Sequence, residues 1–440
     1  MNVHLMGICG SGMSALAGWY NALGNNVTGC DGAPSPDKVI SLEKLGIAVE
    51  TDHSTNHLEG IDRLIFSAAI PRENPELEKA REIGIPTLRR SEALAELASL
   101  HTVVSIAGAH GKTTTTSMAG WIAQEAGFNP TVFIGGNMDC WNGNFRAGGE
   151  LAIVESDEFD RTFLRLTPSH AAVTSFALEH LECYGSPEAL EWAFQAFLES
   201  VLPGGTVIVP MEKPGLGFWA ERIGRKILTS GPGGDIDARV GEYRGWGEKY
   251  RLFGCHGFLP APGIHNIRNA QVAVALSMAS GIPADKAIDV LASWPGVSRR
   301  LEKIGEYRGT IIVSDYAHHP DEIAAALSSV KKLADGPVTV VFQPHLPSRT
   351  SLLHREMGSA LRIADRSYVL PIFKAREAEV PGVSSDLVCD AARRSGALCD
   401  RTAMDRIEDI VKACNGGVLI FMGAGSVDSQ ARRVLREVGL

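Results

Sequence analysis

The chain has 440 residues, 45% of them apolar and 21% charged, with a formal net charge of −9. That length supports two to four domains at roughly 150 residues each, and the acidic balance excludes the basic footprint of a nucleic-acid binder. No apolar run reaches the ~18 residues of a membrane span, and the opening residues do not read as a signal peptide.

Residues 2–6 read as a strand running into Gly7-Ile-Cys-Gly-Ser-Gly12, with a helix over about 13–23. Residues 26–31 form a second strand that ends in Asp31. Strand, glycine loop, helix and an acid about 20 residues on hold a dinucleotide or a diphosphate. The glycines are spaced G-x-x-G-x-G and not G-x-G-x-x-G, which favours a diphosphate at the helix N-terminus over a nicotinamide cofactor. A tight turn without a ligand would use the same residues. Residues 63–67 are strand-like, 74–84 helical, 85–88 extended and 91–99 helical, closing a first domain of about 1–100. Arg89 and Arg90 near its end suit either a phosphate or a solvated face.

Thr102-Val-Val-Ser-Ile106 is a β-branched run with the character of a buried strand, and 117–126 reads as a helix. Between them stands Ala107-Gly-Ala-His-Gly-Lys-Thr-Thr-Thr-Thr116, a loop of the kind that holds a nucleoside triphosphate. Backbone N–H groups over Gly108, Ala109, His110 and Gly111 suit phosphate oxygens, with Thr114 following in the helix. Lys112 supplies a positive charge to the β- and γ-phosphates, and the Thr113 hydroxyl suits Mg²⁺. Ile106 stands where the longer G-x-x-x-x-G-K-[ST] pattern has its first glycine.

A strand over 150–155 ends among Glu155, Asp157, Glu158 and Asp160. Carboxylates at a strand end beside a phosphate loop hold Mg²⁺, a hard ion that prefers oxygen; a solvated acidic loop is the plainer alternative. A strand over 171–174 has Glu179 and His180 beyond its end. Helices are expected at 187–201 and 267–281, with a turn-rich, mostly β stretch between them. His265, Asn266 and Asn269 cluster where the second helix starts; capping accounts for one asparagine, and the rest suggests a ligand such as adenine.

Strands are expected at 310–316, 338–342, 366–370 and 417–422 in a third doubly wound unit. Polar residues recur at their ends, over 315–319, 343–349 and 423–426, which is the ligand edge of a parallel sheet. The eight cysteines, at 9, 30, 140, 183, 255, 389, 399 and 414, include no C-x-x-C pair. Their spacing predicts reduced thiols and no metal site.

Taken together and in this order, Gly7-Ile-Cys-Gly-Ser-Gly-Met-Ser14, Ser67-Ala-Ala-Ile-Pro71, the 107–116 loop, Glu155-Ser-Asp-Glu158, His265-Asn-Ile-Arg-Asn269, Arg299-Arg300, Asp315-Tyr-Ala-His-His-Pro320 and Gln343-Pro-His345 resemble the Mur ligase family from end to end. The resemblance implies an α/β, three-domain architecture: a Rossmann-like UDP-binding domain over 1–100, a central P-loop ATPase domain over 101–297 and a C-terminal Rossmann-like amino-acid domain over 298–440. It implies ATP-dependent amide formation through an acyl phosphate in peptidoglycan precursor synthesis, with ATP and Mg²⁺ as cofactors. The implied substrates are UDP-N-acetylmuramate and an amino acid, L-alanine first. A tripeptide-adding recycling ligase, or a paralogue of altered specificity or reduced catalysis, is the alternative. A cytoplasmic monomer or weak dimer without nucleic-acid or membrane partners is implied as well.

Matched to the family's motifs, Lys112 binds the β- and γ-phosphates, Thr113 and Glu155 bind Mg²⁺, and His180 binds a second metal ion near the substrate carboxylate. His265, Asn266 and Asn269 take the adenine side, Arg300 reaches phosphate and Asp315 the ribose. Tyr316, His318, His345 and Arg349 match positions near the amino acid and acyl group. Gly10, Ser11, Gly12, Asp31 and Ser67 match the uridine-diphosphate site. Three departures stand out. Thr174-Ser-Phe-Ala-Leu-Glu-His180 replaces the family's Thr-Asn-Ile-Glu-Ala-Asp-His, Leu346 stands where an arginine is usual, and Leu301 where a phenylalanine is.

Overall fold

The computed structural model describes residues 1–439 apart from 35, 160, 179, 180 and 376. β1 (Asn2–Met6), β2 (Asn26–Cys30), β3 (Ala48–Glu50), β4 (Arg63–Phe66) and β5 (Thr87–Arg89) form a parallel sheet in the order β3-β2-β1-β4-β5. Its helices are α1 (Ser11–Ala22), α2 (Pro36–Glu43), α3 (Pro75–Glu82) and α4 (Arg90–Ala98). Because side chains alternate along a strand, Val3, Leu5, Val27 and Ile65 pack on one face with α1 and α4 residues, while Met6, Cys30, Leu64 and Phe66 face Leu58, Leu77 and Ala80 on the other. The strand order reverses between β1 and β4, so the turns after these two strands diverge and leave a crevice at their C-terminal ends.

The second sheet comprises β6 (Thr102–Ala107), β7 (Thr131–Met138), β8 (Gly143–Arg146), β9 (Leu151–Glu155), β10 (His170–Val173), β11 (Thr206–Pro210) and β12 (Lys226–Ser230), in the order β12-β11-β10-β6-β9-β7-β8. Among the described residues of this sheet only the β7–β8 pairing is antiparallel. Its helices are α5 (Lys112–Glu125), α6 (Leu181–Tyr184), α7 (Pro187–Glu199) and α8 (Phe218–Arg222). β6 lies between β10 and β9, so the 107–116 loop emerges with Thr174 on one side and Glu155 on the other. The mostly β stretch expected before residue 258 resolves into β11, β12 and a three-stranded sheet of β13 (Arg239–Arg244), β14 (Gly247–Leu252) and β15 (Cys255–Leu259). α9 (Ile264–Ala279) and α10 (Ala284–Leu291) follow.

The last sheet, β16 (Glu302–Tyr307), β17 (Thr310–Asp315), β18 (Val338–Phe342), β19 (Arg366–Val369), β20 (Cys399–Arg401) and β21 (Val418–Met422), runs β16-β17-β21-β18-β19-β20. It is parallel except for β16, an antiparallel edge strand that the sequence reading did not anticipate. α11 (Pro320–Leu333), α12 (Pro347–Leu361), α13 (Ser385–Arg394), α14 (Ile407–Ala413) and α15 (Val427–Glu437) belong with this sheet, which has an apolar cluster on each face.

The chain divides into two compact units. One comprises Met1–Arg239, Tyr250–Phe258 and Ile267–Pro295; the other comprises Val240–Lys249, Leu259–Asn266 and the residues from Gly296 onward. In the first unit the β1–β5 and β6–β12 sheets share a core. Trp19 of α1 packs against Phe133 of β7 and Phe145 of β8, with ring centroids 6.4 and 5.8 Å away, in a cluster that also holds Val3, Leu5, Val103 and Ala152.

Candidate active site

The phosphate loop turns on two glycines. Gly108 has φ +131° and a Cβ there would lie 2.4 Å from Thr174 Oγ1 and 2.9 Å from the Ser175 backbone. Gly111, at φ +82°, caps α5. Both conformations favour glycine for want of a Cβ. Lys112 curls back over the loop it follows: its Nζ donates to Gly108 O at 2.5 Å and to Glu158 Oε1 at 2.9 Å. Burial works against the Lys112 ammonium, but the charges of Glu158 and Asp157 outweigh it and lift the group above the ordinary lysine value.

Thr113, in the first turn of α5, donates to Glu155 Oε1 at 2.8 Å, and Gly135 N donates to the other carboxylate oxygen at 2.6 Å. Burial raises the Glu155 carboxyl, with its hydrogen bonds and Lys112 pulling the other way. Burial raises Glu158 too. A hydroxyl and a desolvated carboxylate side by side fit a hard divalent cation, which takes oxygen ligands and relieves the buried negative charge. Thr114 is buried behind them in α5. Ser175, one of the departures, has its own part in the loop: its Oγ accepts from His110 N at 2.8 Å and its carbonyl from Ala109 N at 3.1 Å. His180 lies outside the described residues, as does Glu179.

At the crevice of the first sheet, Gly10 precedes α1 and Ser11 and Gly12 open it. Asp31, just past β2, accepts from Cys9 N at 3.0 Å and so ties the glycine loop to the neighbouring strand end. Ser67, just past β4, stands against Gly7, where a Cβ would meet the Ser67 Cβ at 3.0 Å. Arg90 extends over Gly12: a Cβ on Gly12 would lie 2.7 Å from its Nη1, and its Nη2 donates to Thr162 at 3.0 Å and lies 3.9 Å from Asp157. Arg90 thus bridges the glycine loop and the acidic loop after β9. Composition alone could not separate it from Arg89. Asn144 of β8 donates to Ser11 O at 2.5 Å and is a further contact the sequence did not reveal.

In the second unit, residues expected near the amino acid gather at the C-terminal ends of β17 and β18. Arg299 and Arg300 lie over the Tyr316 ring, 4.7 and 5.2 Å from its centroid. Asp315 accepts from Leu301 N at 2.8 Å and Ala317 N at 2.7 Å; burial lifts it to about 6, with Arg300 opposing. The ring centroids of His318 and His345 are 5.8 Å apart, and Arg349 Nη1 lies 3.3 Å from His345 Nδ1. Burial, then the charges of His318 and Arg349, pushes His345 down to about 4. Burial lowers His318 as well. Leu346 takes φ +69° and opens α12, whose first turn is capped from outside by Glu377, which accepts from Ser348 N at 2.8 Å and Ser348 Oγ at 2.5 Å. Nothing local in the sequence marks Glu377.

The adenine-side trio is divided between the two units. Asn269, in the first, stands against the phosphate loop, its Oδ1 2.3 Å from where a Gly111 Cβ would be. In the second, Asn266 is buried and donates to Pro262 O at 2.8 Å, and His265 packs beside Gly263. The Asn266 bond to Pro262 holds the turn that opens α9.

Residues 2–102 match the Mur ligase family, catalytic domain; 106–277 match the Mur ligase middle domain; and 299–425 match the Mur ligase, glutamate ligase domain. A UDP-N-acetylmuramate–L-alanine ligase of Streptomyces griseus is 37% identical over 98% of this chain and 96% of its own length. One of Sorangium cellulosum is 36% identical over 98% and 95%. Among solved structures, the UDP-N-acetylmuramate-alanine ligase of Thermotoga maritima matches with a TM-score of 0.86 at 26% identity, covering 100% of this chain and 99% of that one. A murein peptide ligase of Psychrobacter arcticus matches at 0.71 with 24% identity over 100% and 99%, a likeness of fold. So does the MurF ligase of Thermotoga maritima in complex with ADP, at 0.62 with 18% identity over 86% and 88%.

Proposed function

The chain belongs to the Mur ligase family, and from that premise we infer that it joins L-alanine to UDP-N-acetylmuramate in an ATP-dependent ligation. The observation that carries the substrate assignment is near full-length identity to ligases named for that reaction. The tripeptide-adding alternative has only a likeness of fold on its side. Among the described residues no helix is long and apolar enough to cross a membrane. A cytoplasmic location, where ATP and UDP-sugars are made, and a monomer or weak dimer complete the reading.

In the family's reaction a carboxylate oxygen of the UDP-sugar attacks the γ-phosphorus of ATP, and ADP leaves. The amine of the amino acid then adds to the acyl carbon, and phosphate leaves from the tetrahedral intermediate. Such a reaction needs charge neutralised on the phosphoryl oxygens and the reactants held in line. Lys112 supplies the cation, and the loop N–H groups at the α5 N-terminus orient the phosphates. Thr113 and Glu155 would hold Mg²⁺, which when bound screens the charge of the transferring group. The backbone of Gly10, Ser11 and Gly12, with Asp31 and Ser67 at the flanking strand ends and Arg90 above, serves the diphosphate. At neutral pH the depressed pKa leaves His345 uncharged, so its ring nitrogen accepts from Arg349 and aims that guanidinium. Arg349 then binds the amino-acid carboxylate.

Phosphate release from ATP, measured with Mg²⁺ and UDP-N-acetylmuramate while scanning L-alanine, glycine, L-serine and the tripeptide L-Ala-γ-D-Glu-meso-diaminopimelate, tests this. Turnover is expected with L-alanine. Turnover with the tripeptide alone, or with no amine at all, overturns the assignment.

A further inference from the structure

Next to the glycine-loop crevice but not facing it, one cluster of metal-binding side chains lies on the face of the first sheet covered by α3. His4 comes from β1, Cys30 from the end of β2, His57 from the single turn Thr55–Leu58, and Glu76 from the first turn of α3. One donor atom from each lies within 4.8 Å of all the others. Glu76, fully buried, is the hub: His4 Nε2 is 3.2 Å and His57 Nδ1 3.3 Å from its Oε1, and Cys30 Sγ is 3.4 Å from its Oε2. His53 stands at the margin, its Nδ1 3.1 Å from Cys30 Sγ.

We propose that His4, Cys30, His57 and Glu76 form a structural metal site for Zn²⁺ or a similar borderline divalent cation. Donors bound to one tetrahedral ion at about 2.0–2.3 Å lie roughly 3.3–3.8 Å apart. His4 Nε2 and His57 Nδ1 are 3.2 and 3.3 Å from one Glu76 oxygen and Cys30 Sγ is 3.4 Å from the other, so binding has to draw in a set of donors that lie within 4.8 Å of one another. Both histidines turn one nitrogen inward and have a partner at the other. His4 Nδ1 is 2.8 Å from Thr28 Oγ1, directly across on β2, and His57 Nε2 is 3.7 Å from Asp52. Outer partners of this kind fix the tautomer of a metal-binding imidazole. The inward His4 Nε2 is buried, with the Glu76 carboxylate 3.2 Å away on the same side.

The donor set, two imidazoles, a thiol and a carboxylate, suits zinc and not Mg²⁺ or Ca²⁺, which prefer oxygen. Binding exchanges the Cys30 S–H bond for a sulfur–metal bond and releases one proton to solvent, with no change of oxidation state. The thiolate, the carboxylate and the dication then sum to zero charge, so the buried site carries no net charge to desolvate. The apolar cluster on this face is small: Met6, Cys30, Leu58, Leu64, Phe66, Leu77 and Ala80. An ion there pins α3 and the 55–58 turn to β1 and β2. It also fixes Cys30, whose neighbour Asp31 holds the glycine loop. Cysteine spacing predicted no metal site because these ligands come one each from four elements.

The test strips the full chain with a chelator and titrates it with Co²⁺ in the presence of excess Mg²⁺. One equivalent is expected to give a thiolate-to-cobalt charge-transfer band with tetrahedral d–d absorption, both displaced by Zn²⁺. Zn²⁺ should release about one proton per chain and raise the unfolding midpoint by several degrees. Cys30→Ser should lose the charge-transfer band, His57→Gln should weaken binding by at least ~10-fold, and Cys140→Ser, at an exposed thiol, should change neither. The proposal is overturned if the wild-type chain shows no thiolate band, if the band survives Cys30→Ser, or if Zn²⁺ leaves the midpoint unmoved.

Discussion

Lys112 is gripped by the Gly108 carbonyl and the Glu158 carboxylate before any phosphate arrives. A cation preorganised in this way costs little to reorient at the transition state. Lys112→Ala is therefore expected to lower phosphate release by about 10²–10³-fold or more. The fold should survive, because burial already favours the neutral form of the Glu158 that loses its partner. A near-normal rate would remove Lys112 from the phosphate site. His345 gives a prediction in pH. Its folded pKa, about 4, lies below its ordinary 6.5, so the stability it contributes is present above 6.5 and is lost as pH falls towards 4. His345→Gln has no such term. The gap in unfolding midpoint between wild type and variant should narrow between pH 7 and pH 4; a constant gap would show that the fold does not depress His345.

At the scale of elements, strand β6, its glycine loop and α5 form one device, and Gly108 is its tightest point. Alanine there meets both a left-handed φ and the Ser175 backbone. Gly108→Ala should cost about 1–3 kcal/mol of stability and weaken nucleotide binding by at least ~10-fold, the equivalent of about 1.4 kcal/mol. A fluorescent-nucleotide titration showing wild-type affinity would contradict this. The loop itself was legible in the sequence because its chemistry is local: glycines, Lys112 and Thr113 are adjacent, and Glu155 ends the next recognisable strand. The residues that hold the loop were not. Ser175 and Glu158, the partner of Lys112, each act across a gap in sequence that only strand order closes; the same is true of Glu377, which caps α12 in the second unit. Short edge strands such as β3, β8 and β20 also escaped notice, since a few residues carry too little periodicity to register.

For the whole molecule, the first unit is the informative one, because the glycine loop and the phosphate loop rest on sheets with a common core. Trp19 sits in it, 2% exposed, against Phe133 and Phe145. Trp19→Ala is expected to cost about 3–5 kcal/mol and to weaken UDP-N-acetylmuramate and ATP binding together. Separate titrations of the two ligands check it; loss of one affinity with the other intact would mean that the sheets are not coupled through this core.

The sequence by itself determined the α/β alternation, the two glycine loops, the acidic strand end and, through motifs in fixed order, the family. These are short-range patterns, written in periodicity and in residues a few positions apart. Only the tertiary structure decided which of Arg89 and Arg90 lies over the glycine loop, how Asn266 and Asn269 come to have different partners, and that His4, Cys30, His57 and Glu76 meet. Those facts depend on which strands become neighbours and which side chains share a face. Burial then sets the charge states, raising Asp315 and lowering His345, and burial is a property of the packed chain that no local window contains.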